Sequence, residues 1–218
     1  MNSFFNLLFI IIDRLRFSIS SWCKFIRYNF FCNKIISNSK LPLLIGRDCV
    51  IELKKNSRIK IKQNLQIGYR EIVSSRQETR IKIMEEGEIN VLSNFIIYAG
   101  SYIHVSRGGR LILGSGFINE NVQIICGKYI EMGNGVAIGP DVVIRSTDAH
   151  RIDDQEEDKP IIIGNNVWVG QGAMILKGVT IGEGAIIGAK SLVTKDVPAH
   201  CVVAGNPARV IKENVTWK

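Results

Sequence analysis

Histidine is scarce in this chain: His104, His150 and His200 are the three among 218 residues. A metal site built on imidazoles needs several ligands close together, and these three are widely separated, so no metal is expected. The five cysteines (Cys23, Cys32, Cys49, Cys126, Cys201) are odd in number and contain no CxxC pair. That excludes a disulfide framework or a zinc knuckle and points to a reduced, cytoplasmic setting. Long apolar runs are missing too. The stretch Leu7 to Ile12 stops at Asp13 and Arg14, far short of the roughly 20 residues that cross a bilayer. No Lys or Arg precedes it and no small-residue cleavage site follows, which argues against a secretory leader. Acidic residues are outnumbered 20 to 28, a net charge of +8. A basic chain favours anionic partners such as nucleic acid, a membrane surface or a phosphate-rich ligand. The basic residues are dispersed and no nucleic-acid motif accompanies them, so nucleic acid is not expected.

What is present divides the chain in two. Residues 1–40 hold seven of the nine phenylalanines and six basic side chains against the single acid Asp13. Phe4, Leu8, Ile11, Ile12, Leu15, Ile19 and Trp22 follow at helical spacing, which predicts an amphipathic helix. A basic, aromatic-rich helix suits peripheral contact with the inner face of a membrane. Packing on one end of the main domain, or between subunits, explains the same pattern equally well.

From Ile163 onward the chain repeats every six residues: Ile163-Gly164, Val169-Gly170, Ile175-Leu176, Ile181-Gly182, Ile187-Gly188 and Val193-Thr194. The fifth position of each hexad is small or β-branched: Val167, Ala173, Val179, Ala185, Ser191 and Val197. A period of six signals a β-helix. Each hexad is one short strand and a corner, three hexads close a triangular coil, and stacked coils bury an aliphatic face that one coil cannot bury alone. Looser matches at Ile45-Gly46, Ile67-Gly68, Met132-Gly133 and Ile138-Gly139, and an Arg-apolar-x-apolar theme at Arg58, Arg80 and Arg110, extend the pattern upstream. The expected fold is therefore an all-β solenoid, a parallel β-helix of roughly eight coils over residues 41–205. A short helical segment (1–40) precedes it and a tail (206–218) follows.

The repeat is interrupted between Ile144 and Ile163, predicting a protruding loop at about residues 146–160. Loops held on a rigid scaffold commonly carry function. His150 stands at the start of this one, where a base would be firmly held.

Thr147-Asp148-Ala149-His150, then Ile163-Gly164-Asn165-Asn166-Val167-Trp168-Val169-Gly170, then Val193 to Pro198 and Ala204 to Arg209, resemble the hexapeptide-repeat acyltransferases. The likeness is to the maltose and galactoside acetyltransferase branch, and equally to the O-acetyltransferases of capsule, O-antigen and exopolysaccharide synthesis. It implies a left-handed coil, against the right-handed rule for parallel crossovers. It also implies acetyl-CoA as donor, a sugar or glycan acceptor, and a homotrimer with its site between subunits. His150 matches the family's general base, work an imidazole can do near neutral pH. Asn119 matches the asparagine beside the acceptor, placed to hold the attacking hydroxyl or the developing oxyanion. Trp168, Ala189, Thr194, Lys195 and Arg209 match positions along the CoA groove, expected together on one side of the coils. The indole offers a flat surface and the two cations can meet phosphates. One departure stands out: Ile124 to Lys128 carries no carboxylate where the maltose and galactoside enzymes often have one, so their acceptor preference does not transfer. An amino-sugar, nucleotide-sugar or small-molecule acceptor remains an alternative, as does a non-enzymatic β-helix scaffold.

Overall fold

A computed structural model describes residues 19–37, 43–46, 48–69, 77–148, 150 and 158–217. The proposed helical residues from Phe4 to Leu15 lie outside these. Helix α1 (Ile19–Phe30) leads into a triangular solenoid. The first coil is β1 (Ile35–Ser37), β2 (Leu43–Ile45) and β3 (Cys49–Leu53), the second β4 (Arg58–Ile61), β5 (Leu65–Tyr69) and β6 (Thr79–Ile83). The third is β7 (Glu88–Val91), β8 (Phe95–Tyr98) and β9 (Tyr102–Val105), the fourth β10 (Arg110–Leu113), β11 (Gly116–Ile118) and β12 (Gln123–Cys126). The fifth comprises β13 (Tyr129–Met132), β14 (Val136–Ile138) and β15 (Val143–Arg145). The sixth and seventh are β16 (Ile161–Ile163), β17 (Trp168–Val169) and β18 (Met174–Ile175), then β19 (Thr180–Ile181), β20 (Ile186–Ile187) and β21 (Leu192–Val193). An eighth coil is partial: Val197 bridges to Ile181, and β22 (Val202–Gly205) is followed by β23 (Ala208–Lys212). The solenoid thus starts ahead of residue 41 and its sheet continues past residue 205.

Every third strand stacks in parallel, giving three sheets. Sheet A runs from β1 to β19, sheet B from β2 through β20 to β22 and β23, and sheet C from β3 to β21. Strand period two sends alternate residues inward. On sheet B, Ile45, Ile67, Ile97, Ile118, Ile138, Val169, Ile187 and Val203 form one continuous buried column. Each such aliphatic contributes about 1.5–3 kcal/mol by leaving water, so the core is a line and not a centre. The fifth hexad residues also face inward, and the one polar member, buried Ser191, is satisfied by accepting the Gly205 N–H at 3.2 Å.

Coil length differs along the axis. Paired residues Ile162 and Thr180 are 18 apart, three hexads, whereas Arg110 and Tyr129 are 19 apart and Tyr102 and Gln123 are 21 apart. Two coils are much longer. Ile130 pairs with Ile161 across the insertion expected after Ile144, and Cys49 pairs with Thr79 across a second insertion between β5 and β6. The Arg-apolar theme does not mark one register: Arg58 and Arg110 lie on sheet A, Arg80 on sheet C.

Candidate active site

His150 belongs to the corner where sheet C passes into sheet A. The chain approaches it from β15 through a stretch fixed at successive points. Buried Ser146 donates its N–H to the Ile125 carbonyl at 3.0 Å, and its hydroxyl accepts the Gly127 N–H at 3.0 Å. Arg145 Nε donates to the Thr147 carbonyl at 3.1 Å. Asp148 pairs with Lys177, from the same corner of the next coil, at 2.6 Å. Gly127 has no room for a Cβ, because Thr147 at the start of the insertion and Asp158 at its end both press on it. The His150 side chain is exposed at the end of this braced segment. Thr194 and Lys195 are exposed at the same corner two coils on from β15.

Asn119 occupies a different corner, where sheet B passes into sheet C. Its Oδ1 accepts the Glu120 N–H at 2.7 Å. That bond fixes the amide's orientation and leaves Nδ2 as the available group, a donor and not an acceptor. The main chain is pinned as well: the Asn119 N–H donates to Ile138 O at 2.9 Å and its carbonyl accepts Ser101 Oγ at 3.1 Å. Above it on this corner, Asp141 accepts from Asn121 Nδ2 at 3.3 Å and from Gln171 Nε2 at 3.0 Å. Residues 124–128 carry no carboxylate, and the nearest one in sequence to Asn119 is Glu120, half-buried directly beside it.

Trp168 projects from sheet B, 45% exposed, between smaller residues in register, Ala137 on one side and Ile186 on the other. Its ring lies 6.0 Å from that of Trp217, whose Nε1 donates to Asn166 O at 2.7 Å. The C-terminal residues therefore fold back over this sheet, a contact that no repeat signals. Arg209 is exposed on β23 at the edge of sheet B, with Nη1 on the Ala208 carbonyl at 2.8 Å. Ala189 is exposed at the corner of Asn119, three coils on, next to Lys190, which lies across Gly172.

The expected set is therefore not on one side. Asn119, Trp168, Ala189 and Arg209 occupy sheet B and its corner with sheet C. His150, Thr194 and Lys195 occupy the corner of sheets C and A. A four-residue strand such as β12 spans about 13 Å, so one whole face separates the imidazole from the asparagine within a single copy.

Three other groups are set apart from this chemistry. Burial pushes the Cys126 thiol up to about 12, and the thiol donates to the Arg110 carbonyl at 3.3 Å, so it is an inert core thiol. His104 faces outward from β9, its pKa lowered by burial and then by Lys82. His200 lies at the corner of sheets A and B. Among the described residues no cluster of three metal-ligating side chains is found.

A three-sided parallel solenoid built from hexads is the architecture that a hexapeptide repeat produces. Residues 160–195 match the family model described as bacterial transferase hexapeptide, six repeats. The chain is 32% identical over 171 residues to "Putative acetyltransferase YJL218W" of Saccharomyces cerevisiae, covering 75% of this chain and 83% of that protein. It is 39% identical over 118 residues to the galactoside O-acetyltransferase of Escherichia coli strain K12, covering 51% of this chain and 58% of that enzyme. The chain thus spans less than two thirds of the galactoside enzyme. Galactoside acetyltransferase solved in complex with coenzyme A aligns at 31% identity over 60% of this chain and 66% of that one, TM-score 0.44. The chain belongs to the hexapeptide-repeat acyltransferase family, and its solenoid is the left-handed parallel β-helix.

Proposed function

We propose that this protein is an acetyl-CoA-dependent O-acetyltransferase acting on a hydroxyl of a sugar or polysaccharide precursor, with its reaction centre shared between copies in a homotrimer. The observation that carries this reading is the division of the candidate residues between two corners. A cyclic trimer sets one corner of each copy against another face of the next, and the heterologous contact closes after three. The corner of His150, Thr194 and Lys195 then meets the side of Asn119, Trp168, Ala189 and Arg209.

In that arrangement His150 removes the proton of the acceptor hydroxyl as its oxygen attacks the thioester carbonyl. The carbonyl oxygen becomes an oxyanion, to which a preoriented donor is worth most in a dry site. Asn119 Nδ2 is such a donor. Collapse of the tetrahedral intermediate breaks the C–S bond, and the departing sulfur takes the proton from the imidazolium. Trp168 supports the pantetheine arm, Lys195 and Arg209 meet phosphates, and Glu120 accepts from neighbouring acceptor hydroxyls. A cytoplasmic setting suits this chemistry, and all five cysteines are free thiols. Family membership favours this enzyme over a scaffold, and a hydroxyl acceptor follows the galactoside O-acetyltransferase likeness.

The test is complementation between two inactive variants, read as acetyl-CoA-dependent release of CoA thiol over a panel of sugars and glycans. His150→Ala is expected to lower kcat/KM by about 10²–10⁴, and Asn119→Ala by about 10²–10³. Unfolded together and refolded as mixed trimers, they recover about a quarter of wild-type activity, because one interface in four pairs an intact His150 with an intact Asn119. Mixed oligomers that stay as inactive as either parent would sink the shared site.

A further inference from the structure

Helix α1 has two faces with different tasks. The inner face closes the open end of the solenoid. Lys24 Nζ donates to the Cys49 carbonyl at 2.9 Å, the Tyr28 hydroxyl to Ile51 O at 3.2 Å, and Asn29 both donates to Leu43 O at 2.9 Å and accepts the Leu43 N–H at 3.3 Å. Just past the helix, Lys34 Nζ donates to the carbonyls of Leu53 and Lys54 at 2.9 and 2.8 Å. These bonds satisfy backbone groups on the first coil that would otherwise form a free sheet edge.

The outer face is left apolar. Ile26 is 44% exposed, Phe30 62%, Phe31 79%, and Ile36 of β1 43%. Beside them Arg27 is exposed, its guanidinium 5.8 Å from the Tyr28 ring centre. From residue 14 to residue 47 the sequence contains no Asp or Glu. At 12 residues the helix is about 18 Å long, too short to cross a bilayer, and no described helix is long and apolar enough to do so. An aromatic surface that carries Arg27, in a segment with no carboxylate, complements an interface whose headgroups are negative and whose interior is hydrocarbon.

We infer that the outer face of α1, centred on Phe30 and Phe31, docks the protein on an anionic lipid surface. Capping the coil and meeting lipid are not competing roles, since each uses its own side of the helix.

The test is co-sedimentation of the full-length protein with vesicles of phosphatidylcholine alone and of a roughly two-to-one mixture of phosphatidylcholine and phosphatidylglycerol. Wild type is expected to pellet with the mixed vesicles, and less as salt is raised. The Phe30→Asp/Phe31→Asp variant is expected to lose that binding at least about tenfold. Phe31 is largely in solvent and Phe30 keeps only an edge contact with Phe25, so the variant's melting temperature should stay close to wild type and its oligomeric state should match. Ile26→Asp provides an independent second variant. Wild type that stays in the supernatant overturns the proposal. So does a double variant that pellets like wild type, which would assign lipid binding to another part of the chain. A double variant that changes oligomeric state without lipid would show that another copy covers this face, and would overturn it too.

Discussion

The two ends of the solenoid are built by the same rule under different tolerances. In the sixth and seventh coils each strand is two or three residues long and partners recur every 18 residues. Corner glycines there sit against the next coil's backbone: a Cβ on Gly170 would meet Ala189 N at 2.7 Å and Ile187 O at 2.8 Å. In the second to fourth coils most strands have four or five residues and recurrence varies; their glycines range from Gly108, where a Cβ would meet nothing within 4 Å, to Gly109 and Gly116, where it would run into the backbone of Gly127 and Val136. Close-packed corners occur in both regions, and the looser repeat goes with the longer strands. Most of the donor-side candidates (Trp168, Ala189, Thr194, Lys195) stand on the strict coils, and Asn119 with Glu120 stands on the looser fourth.

The comparison can be broken most sharply at two glycines. Gly170→Ala is expected to cost about 3 kcal/mol, because backbone must move. Gly108→Ala should cost about 1 kcal/mol, from its φ of +66° alone. Urea unfolding of both variants checks this, and equal losses would mean the two corners are equally tight. The next effect concerns the donor. Acetyl-CoA at about a hundred times its Kd should stabilise the native protein by about 2.7 kcal/mol. Trp168→Ala and Arg209→Ala should shrink that thermal shift while sparing acceptor KM. Glu120→Gln should do the reverse. A smaller effect comes from Cys126, whose thiol is held well above its ordinary value by burial. A folded-state pKa above the unfolded one gives stability that is intact below the unfolded value and lost as pH rises. The loss should run from near 9.0 towards about 12, amounting to roughly 1 kcal/mol by pH 10. Cys126→Ala should flatten that slope in denaturation measured across pH.

The same contrast explains what could be read beforehand. Ile163 to Val197 announces its own coils, because a six-residue frame with no slips leaves one threading. The insertion after Ile144 was visible for the same reason: a clean frame stops and restarts. The insertion between β5 and β6 was not, since the hexads around Ile67-Gly68 are too irregular for a gap to stand out. Strand β1 was hidden among residues whose aromatic content spoke for a helix. The period also reports which residues point inward but not which corner they reach. Asn119 and His150 were thus legible as candidates while their separation by a whole face was not. The packing of Trp217 on Trp168 rests on a chain reversal through β22 and β23, which lies outside any repeat.

The 18-residue recurrence makes the molecule behave as a screw thread. One full coil inserted or removed would slide everything downstream by about 4.8 Å along the axis and leave each side chain facing its old direction. One hexad inserted or removed would instead turn everything downstream by a third of a revolution, carrying Trp168 to the neighbouring face. Length changes in multiples of 18 therefore alter only the spacing along the axis, and changes of six alter which face a residue occupies.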